Sequence, residues 1–467
     1  MRHPSRRKMV TRSIAVIVAV CIVAIAAYFA LAWRSAIEAI GRPEASSFDP
    51  ALVRRGGELA AAGNCVTCHT APGGKSFAGG VAVPTPFGTV YSTNITPDPE
   101  TGIGRWSQAA FARAMREGVD RGGRHLYPAF PYDHFTLLTD ADTAALYAYL
   151  MSREPVSAVA PNNVLSFPFK NRMLLAGWKL LFLRQGPYQP VATRGEAWNR
   201  GAYLVEGLAH CGACHTPRNA IGAEKKGEPF AGGDAEGWAA YALNGQSPAP
   251  VPWNENAFYE YLRNGWQEAH GAARGPMAPV IGNLSSLGEG DLRAIAIYLA
   301  SVAGEPTPQR RQQGDTLLAR TRADRSVGRA ISGDSVAVAT PSGAQRRSDT
   351  DVGATIYASA CATCHQGGRP LPFGGIDLAL STAPQGPNPH NLVNVVLTGI
   401  PAVEGERSPI MPGFAGVLTD EQLAELIRYV RSRFSDKPQW ADIASDVRDA
   451  RTRVRPIGVH PDQTEKP

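Results

Sequence analysis

The sequence predicts a mainly α-helical chain: three tandem copies of one small, loop-rich unit, preceded by a single apolar N-terminal helix. Three observations carry this. A Cys-x-x-Cys-His pentapeptide occurs at residues 65–69, 211–215 and 361–365. Each copy lies between two helix-patterned stretches of the same design. An uncharged apolar run, residues 13–33, follows a cluster of basic residues.

The apolar run comes first in the chain. Arg2, Arg6, Arg7, Lys8 and Arg12 precede it, and its length of about twenty residues suits a bilayer-crossing helix. The positive flank stays cytoplasmic, so the body belongs in a periplasm-like space. Residues 1–36 are therefore expected to be a cytoplasmic basic tip and single-pass anchor in the inner (cell) membrane. A cleaved signal peptide is the rival, but its apolar region is usually shorter, about 7–15 residues, and ends at a small-residue site. Cys21, inside the run, reads as a small apolar residue. The 467 residues give room for about three domains. The net charge of +6 comes without a dense basic run in the body, which argues against nucleic acid. With 48 Gly and 37 Pro, short helices and long loops are expected, and such units need an extra source of core.

The six cysteines other than Cys21 stand in "CVTCH", "CGACH" and "CATCH". Paired cysteines in an exported chain can form disulfides, and Cys-x-x-Cys alone can be a redox dithiol or half a zinc site. A histidine directly after the second cysteine, three times over, is the signature of covalent c-type haem. Two thiols one helical turn apart reach the two vinyl groups of one haem, and the adjacent imidazole faces its iron. Cys65 with Cys68, Cys211 with Cys214 and Cys361 with Cys364 are thus expected to tether three haem c groups. His69, His215 and His365 are the expected first axial ligands.

"GGELAAAGNC", "GAYLVEGLAHC" and "GATIYASAC" lead into the motifs as helices. Gly57, Gly201 and Gly353 in them would permit close approach of another helix. "LTDADTAALYAYLMS", "LGEGDLRAIAIYLAS" and "LTDEQLAELIRYVRS" close the repeats, with Asp140, Glu289 or Thr419 near the helix start. This is the layout of a small cytochrome c domain, repeated: 49–155, 195–304 and 350–437. Residues 156–194 form an apolar linker in which Trp178, Leu181 and Phe182 pack on a domain or partner. Residues 305–349 read as a basic flexible linker, and 438–467 as a peripheral tail. "FAGG" near residues 77 and 230 and "FGG" near 373 read as turns that bring backbone close to the haem.

An electron-transfer haem usually has a sixth ligand. Methionine raises the reduction potential and imidazole lowers it. "SPIMPGF" offers Met411 and "GPMAPVI" offers Met277, each beside proline and just ahead of a closing helix. The first repeat has "HLYPAFPYDHF" there, and Phe130, which cannot bind iron, takes the methionine's place. Met115 and Met151 read as packing. His134 is the expected ligand, His125 the runner-up, and an open site the remaining possibility. With His134 bound, the first haem has the lowest potential of the three.

With these motifs, "YPAFPY" and "HCGACHTPRNA" in view, residues 49–437 resemble the membrane-bound triheme cytochrome c subunits of bacterial periplasmic dehydrogenases. One branch of that family serves quinoprotein alcohol dehydrogenases and flavin-dependent gluconate or sorbitol dehydrogenases, and its loop typically reads YPAMPY. "YPAFPYDHF", with Phe130 and the added Asp133 and His134, is more similar to the branch accompanying molybdenum hydroxylases of the xanthine oxidase family, such as nicotinate or isoquinoline dehydrogenase. The resemblance implies a non-catalytic relay from a catalytic dehydrogenase subunit to quinone or a terminal oxidase. No phosphate-cradling glycine loop, dinucleotide fingerprint or Ser/His/Asp set argues for chemistry of its own. Two other classes stay open: a peroxidase-like haem enzyme with an open first haem, and a stand-alone electron carrier.

Overall fold

The computed structural model describes residues 6–331, 351–366, 374–402 and 408–453. Two compact units emerge: Met1–Pro190 with Glu206–His210, and Val191–Val205 with Cys211–Pro467. The stretches expected as second and third repeats thus share one unit.

In the first unit, the N-terminal helix spans Arg6–Ala32. Its window Ser13–Ala30 has a mean hydropathy of 2.7 and is apolar all round, as a membrane span or a signal sequence would be. The helix Pro50–Ala62 starts with proline at its first position and the Asp49 carboxylate accepting from Ala51 N at 2.8 Å. It crosses the helix Asp140–Met151, which Thr139 caps. The helix Gln108–Glu117 packs on Asp140–Met151, and the same unit holds a short sheet. In that sheet Ala82–Thr85 and Gly88–Tyr91 form a hairpin, and Val164–Leu165 pairs with Gly88 and Thr89.

The second unit repeats the crossing twice. Glu196–Ala202 crosses Glu289–Ala303, and Val352–Ile356 crosses Asp420–Phe434. The joint is the same each time. A Cβ on Gly56, Gly201 or Gly353 would stand 2.0, 1.9 or 2.3 Å from the carbonyl oxygen of Ala145, Ala294 or Glu425. It would also meet the Cβ of Tyr149, Tyr298 or Tyr429 at 2.7–2.8 Å. Gly201 and Gly353 act as expected, but in the first repeat the joint is Gly56 rather than Gly57. One residue turns the helix by about 100°, and Gly57 faces the Tyr149 ring instead. Thr419 closes a capping box with Gln422, while Asp140 and Glu289 occupy the first turn, where their charge suits the helix dipole.

Three further expectations need correction. The stretch 156–194, expected as a linker in which Trp178, Leu181 and Phe182 pack, lies within the first unit as far as Pro190; Trp178 packs on Tyr132, but Leu181 is 65% exposed. The connection read as flexible is a helix over Pro308–Ile331. Its run of Arg, Gln, Ala and Leu favours helix, Leu317 and Leu318 pack against Val251 and Leu380, and Arg310 donates to Ser247 O at 2.7 Å. Residues 332–350 lie outside the described residues. The tail read as peripheral contributes the helix Ile443–Arg453, whose Ile443, Val447 and Ala450 are buried in one core with Leu423 and Ile427.

His390 ties this tail helix to the hairpin of Gly233–Ala235 and Trp238–Ala240. Its Nε2 lies 3.2 Å from Asp446 Oδ1 and its Nδ1 3.7 Å from Asp234 Oδ2. Asp234 first, then Asp446, raises the imidazole pKa above its usual value, against the opposing effect of burial. A raised folded-state pKa gives stability that is complete below about 6.5 and is lost as pH climbs through the raised value. His390→Asn should therefore cost the second unit up to about 1 kcal/mol at pH 5.5, discounted for partial exposure, and less at pH 9. Denaturant midpoints at the two pH values check this; equal losses at both would refute it.

Candidate haem sites

Each motif occupies a single helical turn: Cys65–Cys68, Gly212–His215 and Ala362–His365. The second and third turns follow π-helical segments, Tyr203–Leu208 and Tyr357–Cys361, a distortion common at functional sites. None of the seven cysteines is joined in a disulfide. The three histidines are fixed alike. His69 Nδ1 lies 2.7 Å from Thr93 O, His215 Nδ1 2.7 Å from Tyr241 O, and His365 Nδ1 2.7 Å from Ile376 O. A carbonyl only accepts, so Nδ1 carries the proton and Nε2 the lone pair that a metal needs. Burial lowers all three pKa values and keeps the rings neutral. A ring nitrogen held by a backbone carbonyl is the usual way a ligating imidazole is oriented, so these residues fit a haem iron.

The loops after the motifs fold back onto them. Gly79 N donates to His69 O at 2.7 Å and Gly232 N to His215 O at 2.8 Å. A Cβ on Gly79 would reach the Thr93 carbonyl carbon at 2.4 Å, so this turn needs glycine. Gly375 packs as closely on His365 Nδ1, 2.8 Å from where its Cβ would be. Phe373 lies outside the described residues.

Further along the chain, the first two repeats share one frame of turns. Gly118 and Gly265 end helices in the left-handed conformation. Leu126 N then donates to Gly118 O and Ala273 N to Gly265 O, at 2.7 and 2.8 Å. Phe130 N bonds Tyr127 O at 3.0 Å as Met277 N bonds Arg274 O at 3.3 Å. Phe130 and Met277 thus hold equivalent backbone positions. Met411 is built differently: its N and O pair with Ile400 at 3.0 and 2.8 Å, next to Gly399.

The loop's two histidines differ sharply. His134 sits about one helical turn beyond Phe130, in Tyr132–Phe135, and is 7% exposed. Its Nδ1 lies 2.6 Å from Glu206 O, the arrangement of the three motif histidines. His125 engages both nitrogens elsewhere: Nε2 with Ala32 O at 2.8 Å and Nδ1 with Lys179 Nζ at 3.0 Å. It bridges the N-terminal helix to the domain body, which argues against a role at iron. Met115 and Met151 are buried among core residues, 6% and 0% exposed. The carbonyl partners escaped sequence reading because a backbone acceptor has no residue identity. Lys179, a charge inside an apolar stretch, is a sequence signal for the contact to His125.

The protein-family model described as "Cytochrome c" matches residues 53–154. The one described as "Cytochrome C oxidase, cbb3-type, subunit III" matches residues 348–430. One of the subunits of nicotinate dehydrogenase from Pseudomonas putida is 47% identical over 431 residues, covering 91% of this chain, while this chain spans 34% of that protein. The fructose dehydrogenase cytochrome subunit of Gluconobacter japonicus is 37% identical, over 84% of this chain and 82% of its own length. The gluconate 2-dehydrogenase cytochrome c subunit of Pantoea cypripedii is 37% identical, over 86% of this chain and 90% of its own.

Proposed function

Because the chain belongs to the family of cytochrome c subunits of dehydrogenase complexes and is an electron-transfer subunit, we propose that it relays electrons through three covalent haem c groups from a molybdenum hydroxylase partner to the respiratory chain, at the periplasmic face of the cell membrane. The observation that carries the count of three is the recurring imidazole-to-carbonyl bond, at 2.7 Å, beneath every Cys-x-x-Cys-His turn. The bound iron supplies the one-electron chemistry. The chain tethers each porphyrin by two thioethers and sets each sixth ligand: His134 in the first repeat, Met277 in the second and Met411 in the third. Residues 13–30 hold the chain in the membrane. The molybdenum branch is supported by Phe130 with His134 and by the similarity to the nicotinate dehydrogenase of Pseudomonas putida.

Purifying the native complex tests this reading. The isolated chain should keep its porphyrin absorbance after acid-acetone extraction, and haem analysis should count three per polypeptide. The largest co-purifying subunit should contain molybdenum. Extractable or fewer haems would refute the relay, and a pyrroloquinoline quinone or a flavin in place of molybdenum would move the partner to the other branch.

A further inference from the structure

The helix Leu174–Phe182 is built inside out for a helix facing water. Its only charged residue, Lys179, is buried at 9% exposure, alongside Ala176. The opposite face shows Leu174, Leu180 and Leu181 to the outside, the last two 66% and 65% exposed. Phe167, 93% exposed, stands just ahead of it. The inversion is fixed by hydrogen bonds. Lys179 Nζ donates to Glu117 O and Gly118 O, both at 2.6 Å, so it meets the carbonyl end of the helix Gln108–Glu117. Its third donor goes to His125 Nδ1. Turning the leucines inward would carry Lys179 out to solvent and leave those carbonyls without their donor.

The apolar face continues the surface of the N-terminal helix. Tyr28 Oη donates to Met173 O at 2.7 Å, and a Cβ on Gly177 would touch the Tyr28 ring hydroxyl at 3.4 Å. Both contacts lie at the end of Arg6–Ala32 where the chain leaves the apolar segment. Lys170 stands four residues before the helix and Arg184 two after it, and both are exposed. An apolar face bracketed in the chain by cations, lying beside the end of a membrane span, matches an interfacial helix against anionic lipid.

We propose that Phe167 and the Leu174, Leu180 and Leu181 face are seated in the headgroup–acyl boundary of the membrane's outer leaflet. The first unit then rests on the bilayer through this face as well as through its anchor. This rests on the reading of residues 13–30 as a membrane span.

The test uses the full chain in its native complex, reconstituted in phospholipid nanodiscs with an anionic fraction. The six motif cysteines are occupied as thioethers, so a spin label attaches at native Cys21, or at Leu181→Cys or Glu154→Cys in a Cys21→Ser background. Relaxation by oxygen, which concentrates in lipid, is compared with relaxation by a water-soluble nickel chelate. The oxygen-to-nickel ratio should be severalfold higher at Cys21 and Leu181→Cys than at the exposed control Glu154→Cys. A water-like ratio at Leu181→Cys with a lipid-like one at Cys21 overturns the inference and leaves the span intact. Shielding of Leu181→Cys from both reagents assigns the face to a protein partner and also overturns it. A water-like ratio at Cys21 overturns the membrane-span reading itself.

Discussion

His134→Ala should, on the proposed assignment, leave the first haem high-spin in the resting protein and raise its potential, while the spectra of the others stay unchanged. The imidazole stands in Tyr132–Phe135, nearly buried, with Nδ1 donating to Glu206 O at 2.6 Å. That bond keeps Nε2 as the lone-pair nitrogen, as in the motif histidines. Imidazole favours the ferric iron more than thioether does, so losing it should shift the midpoint upward by about 100 mV or more, where 59 mV is a tenfold change in a one-electron equilibrium. Potentiometric titration with electron paramagnetic resonance reads both effects. An unchanged spectrum and titration would remove His134 from the iron. The double variant His134→Ala/Phe130→Met makes the test sharper. Phe130 holds the backbone position that Met277 holds in the second repeat, so a methionine there should restore a low-spin haem at higher potential than the parent. Met277→Ala and Met411→Ala should instead each lower the potential of a different haem.

Gly201→Ala should cost the second unit about 3 kcal/mol or more, at the upper end of overpacking losses. The new Cβ would lie 1.9 Å from Ala294 O and 2.8 Å from Tyr298 Cβ. The first of these is backbone in the middle of Glu289–Ala303, so relief requires the two helices to part. A loss of that size lowers the melting temperature by roughly 6–12 °C in a unit of this length. The variant should also bind less haem at Cys211 and Cys214, because those thiols follow the displaced helix. Gly290→Ala is the internal control: it lies on the partner helix with nothing within 4 Å of its Cβ position, and should gain up to about 1 kcal/mol. Similar melting curves for both variants would show that the crossing is not tight.

Covalent chemistry was the most legible part of the sequence, because thiol spacing and an adjacent imidazole are carried by residue identity alone. The helix pair of each repeat was legible for a related reason: apolar periodicity and a glycine mark where two helices touch. The mark was off by one at Gly56, since two neighbouring glycines satisfy the same pattern and only the crossing geometry chooses between them. Position between Phe130 and the closing helix ranks His134 ahead of His125 in the sequence, but the partner of each ring nitrogen is not legible there: Glu206 O for one, Ala32 O and Lys179 for the other. The helix Pro308–Ile331 was hidden by its polarity. Its burial rests on a few residues such as Leu317 and Thr321 rather than on a full apolar stripe.

Glu206–His210 belongs with the first unit, although the chain around it is part of the second. The acceptor that orients His134 therefore comes 72 residues later in the chain than the imidazole it holds. On the proposed relay, His134 would gain its orienting carbonyl only once the chain had been made as far as the second attachment motif. A first repeat cut off at residue 190 would lack the carbonyl that holds His134 Nδ1.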